Sequence, residues 1–181
     1  GLNVDFTSGL ILFSKNLFLG ASFDHLNRPN ETFFYNITNN NSLNKIPIRS
    51  SFHGGYKIKV LQNGLFHKEL FFSPEFVIDL QSNLKRYNFG TYFVDGILDL
   101  GFWYRHTRYL DANSEKFSPQ DALVVVIGIE KNKMRFGYSY DFNISNLTTS
   151  SLGSHEISFS IDLPEKRVHN SKYRIVECPQ F

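Results

Sequence analysis

Hydrophobic and polar residues alternate with a period of two along almost the whole chain, and apolar stripes at helical spacing are hard to find in any window. The clearest stretch is Met134 to Phe142. Met134, Phe136, Tyr138, Tyr140 and Phe142 fall on one face of an extended chain, and Arg135, Gly137, Ser139 and Asp141 on the other. Ile157, Phe159, Ile161 and Leu163 alternate in the same way against Glu156, Ser158, Ser160 and Asp162. So do Leu98, Leu100, Phe102 and Tyr104 against Asp99, Gly101 and Arg105, with Trp103 the one bulky residue on that polar face. The pattern predicts an all-β chain with strands near 4–14, 16–25, 48–61, 68–82, 84–94, 97–109, 120–131, 133–144 and 154–163. Most are long enough to cross a bilayer, which takes about 9–11 residues of tilted strand.

The connections carry a second pattern. Short ones at Lys15-Asn16, Asp95-Gly96 and Lys131 to Lys133 alternate with long polar ones over Asn27 to Pro47, Asp111 to Pro119 and Asn146 to Ser154. Hairpins with tight turns at one end and long loops at the other are the layout of an outer-membrane barrel. The polar face separates this from a soluble barrel. A water-facing exterior is rich in Lys and Glu, whereas this face is built of Gly, Ser, Asp, Asn and Arg. Such residues suit a crowded lumen in which Arg49, Glu75, Asp79, Asp99, Arg105, Arg135, Asp141, Glu156 and Asp162 pair across strands. The expected fold is therefore an antiparallel transmembrane β-barrel of the bacterial outer membrane. Phe13, Phe18, Phe23, Tyr87, Tyr104 and Phe142, near strand ends, are candidates for interfacial girdles. About nine strands do not close in the even-numbered bacterial pattern, so an incomplete set with missing N-terminal strands is expected.

Composition narrows the chemistry. Nineteen Lys and Arg against 17 Asp and Glu leave a net charge of +2, too even a balance for an electrostatic nucleic-acid binder. The longest apolar run, Ala122 to Ile129, is far short of the roughly 18–20 residues of a membrane-spanning helix. Gly1 opens the chain without a leader pattern, so any targeting peptide is expected to be removed or to lie further upstream. Cys178 is alone, and the six histidines form no cluster, so no metal or other cofactor is expected. No phosphate-binding glycine loop or serine nucleophile elbow is present, which leaves an enzymatic reading without support. Asn-x-Ser/Thr triplets at Asn30, Asn36, Asn40, Asn143 and Asn146 are what asparagine-rich loops produce by chance.

Several segments then resemble the PorP/SprF family of type IX secretion outer-membrane proteins of the Bacteroidetes. Leu19 to Asn30 (LGASFDHLNRPN) resembles a strand end in which a glycine-serine stretch leads to a His-Leu-x-Arg-Pro turn. Leu100 to Arg105 (LGFWYR) is similar to the family's Gly-x-x-Tyr-Arg strand, and Asp121 to Leu123 to the start of the next one. Phe136 to Asp141 (FGYSYD) and Gly153 to Glu156 (GSHE) look like its Gly-Tyr-x-Tyr-Asp and Gly-x-His-Glu signatures, in the same order and spacing. Cys178 to Phe181 is similar to its Cys-Pro-x-Phe ending. Family members are longer at the N-terminus, so the chain looks like roughly the last two thirds of one. The resemblance implies a non-enzymatic barrel in outer-membrane lipid that assists export of proteins bearing a C-terminal secretion domain, including large gliding adhesins. It would work beside the translocon and the periplasmic ring proteins, or as a mount for a particular adhesin.

Within that frame, Asp24, His25 and Arg28, at the entry to the long Asn-rich loop, either contact a secreted cargo or form a structural turn in which Asp24 or Asn27 caps backbone amides and Pro29 stops the strand. His155 and Glu156, at the mouth of the last strand, are candidates for a partner-binding or proton-sensitive pair. Adjacent strand residues point to opposite faces, so a direct dyad is not expected, and loop anchoring is the simpler role. Asp99, Arg105, Arg135 and Asp141 form a candidate lumen network, either holding a peptide tail or plugging and registering the barrel. The chain divides into strands and loops over 1–164 and a basic tail over 165–181. In the tail, Lys166 and Arg167 lead a stretch that docks on a periplasmic partner, folds back as a plug, or trails without structure. The alternatives to a secretion scaffold are a passive porin-like channel and a soluble all-β ligand carrier.

Overall fold

The structure, a computed structural model, describes residues 4–30, 45–66, 69–109, 120–144 and 153–163. Among these, every regular element is a strand: β1 (Ser8–Phe13), β2 (Leu17–Asp24), β3 (Arg49–Tyr56), β4 (Ile58–Leu61), β5 (Leu70–Gln81), β6 (Leu84–Asp95), β7 (Leu98–Tyr109), β8 (Gln120–Lys131), β9 (Met134–Asn143) and β10 (Ser154–Ile161). They form one antiparallel sheet in the order β1-β2-β3-β5-β6-β7-β8-β9-β10, with β4 against β5. The sheet is a meander that does not close on itself; among the described residues β1 and β10 are its two edges.

Where one strand is expected over 48–61, the chain forms two, β3 and β4, interrupted at Lys57. Both pair with β5 in a single register, Gly55 opposite Glu75 and Ile58 opposite Phe72. The gap lies across from Ser73 and Pro74. Pro74 has no amide hydrogen to donate, and its pairing on the other side, opposite Thr91 of β6, is intact. The missing donor therefore faces the β3–β4 break. A register shift follows between Lys59 and Leu61, after which Leu61 pairs with Leu70. The first strand is also shorter than expected, starting at Ser8 rather than residue 4.

Register sorts the connections by end. Leu17 lies opposite Tyr56, and Ile129 opposite Leu98, so the turns at residues 14–16, 96–97 and 132–133 share one end of the sheet. The long connections 25–48, 110–119 and 144–153 share the other. Asn132 and Lys133 both have positive φ, 53° and 65°, the backbone of a type I′ hairpin turn whose twist matches the strands. Two connections depart from the rule: the tight turn at Ser82-Asn83 lies at the long-loop end, and residues 62–69 form a longer link at the other.

Directly paired residues share a face. Ile58, Phe72, Phe93, Leu100, Ile127, Tyr138 and Ile157 form one continuous row, and Leu12, Leu19, Gly54, Phe76, Phe89, Tyr104, Leu123 and Phe142 another. On the opposite face, Gly9, Ser22, Ser51, Asp79, Arg86, Thr107 and Gln120 form a row of small and polar residues. Burial is inverted relative to a soluble protein. Phe102 is 49% exposed, Leu123 47% and Phe159 63%, while the only buried hydrophobic side chain among the described residues is Ala122. Ser73, Asp79 and Thr107, all on the polar face, are buried. An apolar exterior around a polar interior is the arrangement of a sheet whose outer solvent is lipid.

The polar face holds four cross-strand pairs of an aromatic ring with a glycine: Trp103 over Gly90, Tyr92 over Gly101, His53 over Gly20 and Phe18 over Gly55. In each, a Cβ on the glycine would fall within the ring's own volume. The ring lies along the wall instead of standing into the interior, and the pair holds the register of its two strands.

Candidate functional site

Four of the polar-face charges expected to act together do share that face, and they fall into two groups. Toward the long-loop end, Arg105 Nη1 donates to Asp141 Oδ2 at 2.6 Å and Arg105 Nε donates to Asn88 Oδ1 at 3.3 Å. This bridge crosses β8 beside Ala122, which lies directly opposite Arg105 and is small enough to pass beneath it. Toward the short-turn end, Arg135 donates through Nη2 and Nε to Glu130 Oε2, at 2.6 and 3.2 Å, across the β8–β9 hairpin. Asp99 lines a cavity of about 320 Å³ together with Arg135, Glu75 and Tyr92. A second cavity of about 280 Å³ lies among Arg86, Asn88, Trp103 and Arg105. Further along the sheet, Asp79 Oδ1 accepts from Arg49 Nη2 at 3.0 Å and from Ser51 Oγ at 2.8 Å. Arg86 Nε and Asp141 Oδ1 are buried without a hydrogen-bond partner among the described residues.

Sequence reasoning overlooked Glu130 and Asn88. Glu130 was visible as a carboxylate two residues before the short Asn132-Lys133 turn, across which it faces Arg135, whereas Asn88 depends on the β6–β7 register and carried no signal.

At the exit of β2, the three residues singled out do not converge. Asp24 pairs with Arg49 in the strand ladder on the polar face. His25, at φ 60°, places Nδ1 2.7 Å from Asp5 Oδ2. Arg28, at φ 48°, is exposed and donates its amide to His25 O at 2.9 Å. Asn27 does the fastening: its Oδ1 accepts from the Phe6 amide at 3.1 Å and its Nδ2 donates to Val4 O at 2.5 Å. This turn ties down the segment that precedes β1.

His155 and Glu156 occupy opposite faces. His155 Nδ1 lies 2.7 Å from the Tyr138 hydroxyl, with its ring 4.4 Å from that of Tyr140, on the apolar face. Glu156 is opposite Ser139 on the polar one. Lys166 and Arg167 lie outside the described residues.

The aromatic candidates divide as well. Tyr87, Tyr104, Phe23 and Phe142 are on the apolar face, with Tyr87 stacked on His106 at 6.3 Å and Phe142 edge-on to Tyr140 at 4.2 Å. Phe13 and Phe18 are not girdle residues. They are direct partners on the polar face, where Phe18 covers Gly55 with its ring 6.2 Å from that of His53. Among the described residues no group of histidine, cysteine and carboxylate side chains has the arrangement of a metal site.

Comparison with protein families decides what kind of sheet this is. The family model described as type IX secretion system membrane protein PorP/SprF matches residues 1–161. The chain belongs to the PorP/SprF family. Searches of curated proteins and of solved structures found no match. The matched region of this PorP/SprF chain takes in all ten strands and ends with β10. An apolar outward face and a polar inward one are thus the two surfaces of a membrane component of the type IX secretion system, whose family works with other components of that system.

Proposed function

We propose that this PorP/SprF chain is part of the wall of an outer-membrane barrel that binds, anchors or assists export of surface proteins bearing a C-terminal secretion domain, gliding adhesins among them, without catalytic turnover. The inversion of burial carries this reading. A sheet that exposes Phe102, Leu123 and Phe159 and buries Ser73, Asp79 and Thr107 is matched to lipid outside and polar contents inside. In such barrels long loops face outward and short turns face the periplasm. The exit of β2, with Arg28, then lies at the cell surface where cargo is met. β10 ends on the periplasmic side, so Lys166 and Arg167, which follow it in the sequence, are assigned to the ring proteins and translocon. Among the described residues β1 and β10 each lack a partner strand on one side, and lipid does not tolerate unpaired backbone groups, so further strands close the wall. Inside, the Arg105–Asp141 and Arg135–Glu130 pairs brace the wall, and the two cavities beside them offer an extended cargo segment hydrogen-bonding groups of both kinds.

The test is purification of the full-length protein from its own cells. Extraction that needs detergent, with a secreted adhesin or a ring protein carried through the column, is the expected outcome. A conducting pore with no stable protein partner would replace the scaffold by a passive channel, and a detergent-free soluble monomer would overturn the membrane placement altogether.

A further inference from the structure

The apolar face changes character in one sector, at the long-loop end of β6, β7 and β8. Tyr87, His106 and Asp121 stand there in one row, with His106 Nδ1 2.6 Å from Asp121 Oδ1. One row further toward the loops, Lys85 and Arg108 are direct cross-strand partners on the same outward face. Their neighbour on β5 is Leu80. Neither cation makes a hydrogen bond or an ion pair with any described residue.

Two like charges placed directly opposite each other repel and loosen the strand pair. A cation that faces lipid is costly at the midplane and nearly free at the interface, so this pair belongs at headgroup depth. The Tyr87–His106 stack one row below has the composition of the interfacial belt that marks that depth. An anion seated between Lys85 and Arg108 would cancel their repulsion. Phosphate suits them, because a guanidinium grips two phosphate oxygens at once and an ammonium adds a compact point charge.

We propose that Lys85 and Arg108 form a binding site for the phosphate of an anionic lipid headgroup in the leaflet on the long-loop side. The site fixes the depth and rotation of the wall by holding a lipid at one sector, outside both the interior and the loop surfaces assigned to cargo. It rests on the bilayer placement above, and the two ideas fail differently.

The test is native mass spectrometry of the full-length protein in detergent, titrated separately with phosphatidic acid, phosphatidylcholine and inorganic phosphate. Each basic residue near a membrane surface is worth roughly a factor of five in affinity, so the pair predicts roughly a 25-fold preference for phosphatidic acid over phosphatidylcholine. Lys85→Gln with Arg108→Gln should abolish that preference, and Lys85→Arg should keep it, which separates lost charge from lost folding. Equal retention of both lipids by the wild type, an unchanged preference in the double glutamine variant, or displacement of the lipid by millimolar inorganic phosphate would each overturn the lipid site. Retention of neither lipid would overturn the lipid site alone, whereas a wild-type protein that stays a soluble monomer without detergent would overturn the bilayer placement itself.

Discussion

Gly90 is the position where a single methyl group should do the most measurable damage. It lies opposite Trp103, the chain's only tryptophan, and a Cβ built on it falls within the fused indole ring. Tyr92 meets the same indole edge-on at 5.9 Å, so the ring has little room to slide along the wall. Gly90→Ala must therefore swing Trp103 into the interior. Overpacking of this kind costs about 1–3 kcal/mol, while replacing a strand glycine by alanine returns about 0.5–1 kcal/mol of backbone entropy. The net expectation is a loss of about 1 kcal/mol at the middle of the two ranges and up to about 2.5 kcal/mol. Gly137→Ala is the matched control. Its Cβ would meet only Ser158 Oγ at 2.5 Å, with the next atom at 3.9 Å, and that hydroxyl can rotate away. It should be neutral or slightly stabilising. The assay is urea unfolding of the full-length protein in detergent followed by circular dichroism, with tryptophan emission reporting the displaced ring. In a Trp103→Ala background, Gly90→Ala should no longer destabilise. Equal costs for Gly90→Ala with and without the indole would refute the ring-over-glycine account.

Three further outcomes follow from the same geometry. Phe102→Arg, on the outward face, should cost about 2–4 kcal/mol if it sits near the bilayer midplane, whereas Ser158→Arg on the inward face should cost less than about 1 kcal/mol; parallel unfolding curves in lipid compare them. Arg105→Gln strands the Asp141 carboxylate, which is 19% exposed, and should cost about 1–2 kcal/mol after allowance for the more exposed guanidinium. The charge-swapped pair Arg105→Asp with Asp141→Arg should recover much of that loss in a double-mutant cycle. Lys133→Gly, at φ 65° in the β8–β9 turn, should raise stability by about 0.5–1 kcal/mol by relieving a left-handed backbone, seen as a higher urea midpoint.

The strands and their two faces were legible in the sequence because alternation is a local property: Met134 to Phe142 carries its own in-out assignment whatever it pairs with. The family, too, could be read from short segments such as FGYSYD and GSHE. What depends on pairing was not legible. The β3–β4 break arises because Pro74, on a neighbouring strand, cannot donate to residues near Lys57. The inward position of Phe13 and Phe18 follows from their place opposite each other and over Gly55, whereas an aromatic at a strand end reads in one dimension as a girdle residue. Likewise Asp24, His25 and Arg28 lie within five residues of one another but serve three different contacts, since two of them adopt positive φ and redirect the chain. The charge groups were half visible. Arg135 and Glu130 face each other across a short turn, but Arg105 and Asp141 meet over an intervening strand, where only the small Ala122 permits it.

The most direct test of the central claim is a cysteine and spin-label scan along β7 of the full-length protein in lipid, with Cys178 replaced by serine, comparing collisions with oxygen dissolved in lipid against a water-soluble nickel complex. Labels at Leu100, Phe102 and Tyr104 should favour oxygen, and labels at Gly101, Trp103 and Arg105 the nickel complex, alternating with every residue. The opposite phase, or high nickel accessibility at all six positions, would contradict an apolar face turned to lipid.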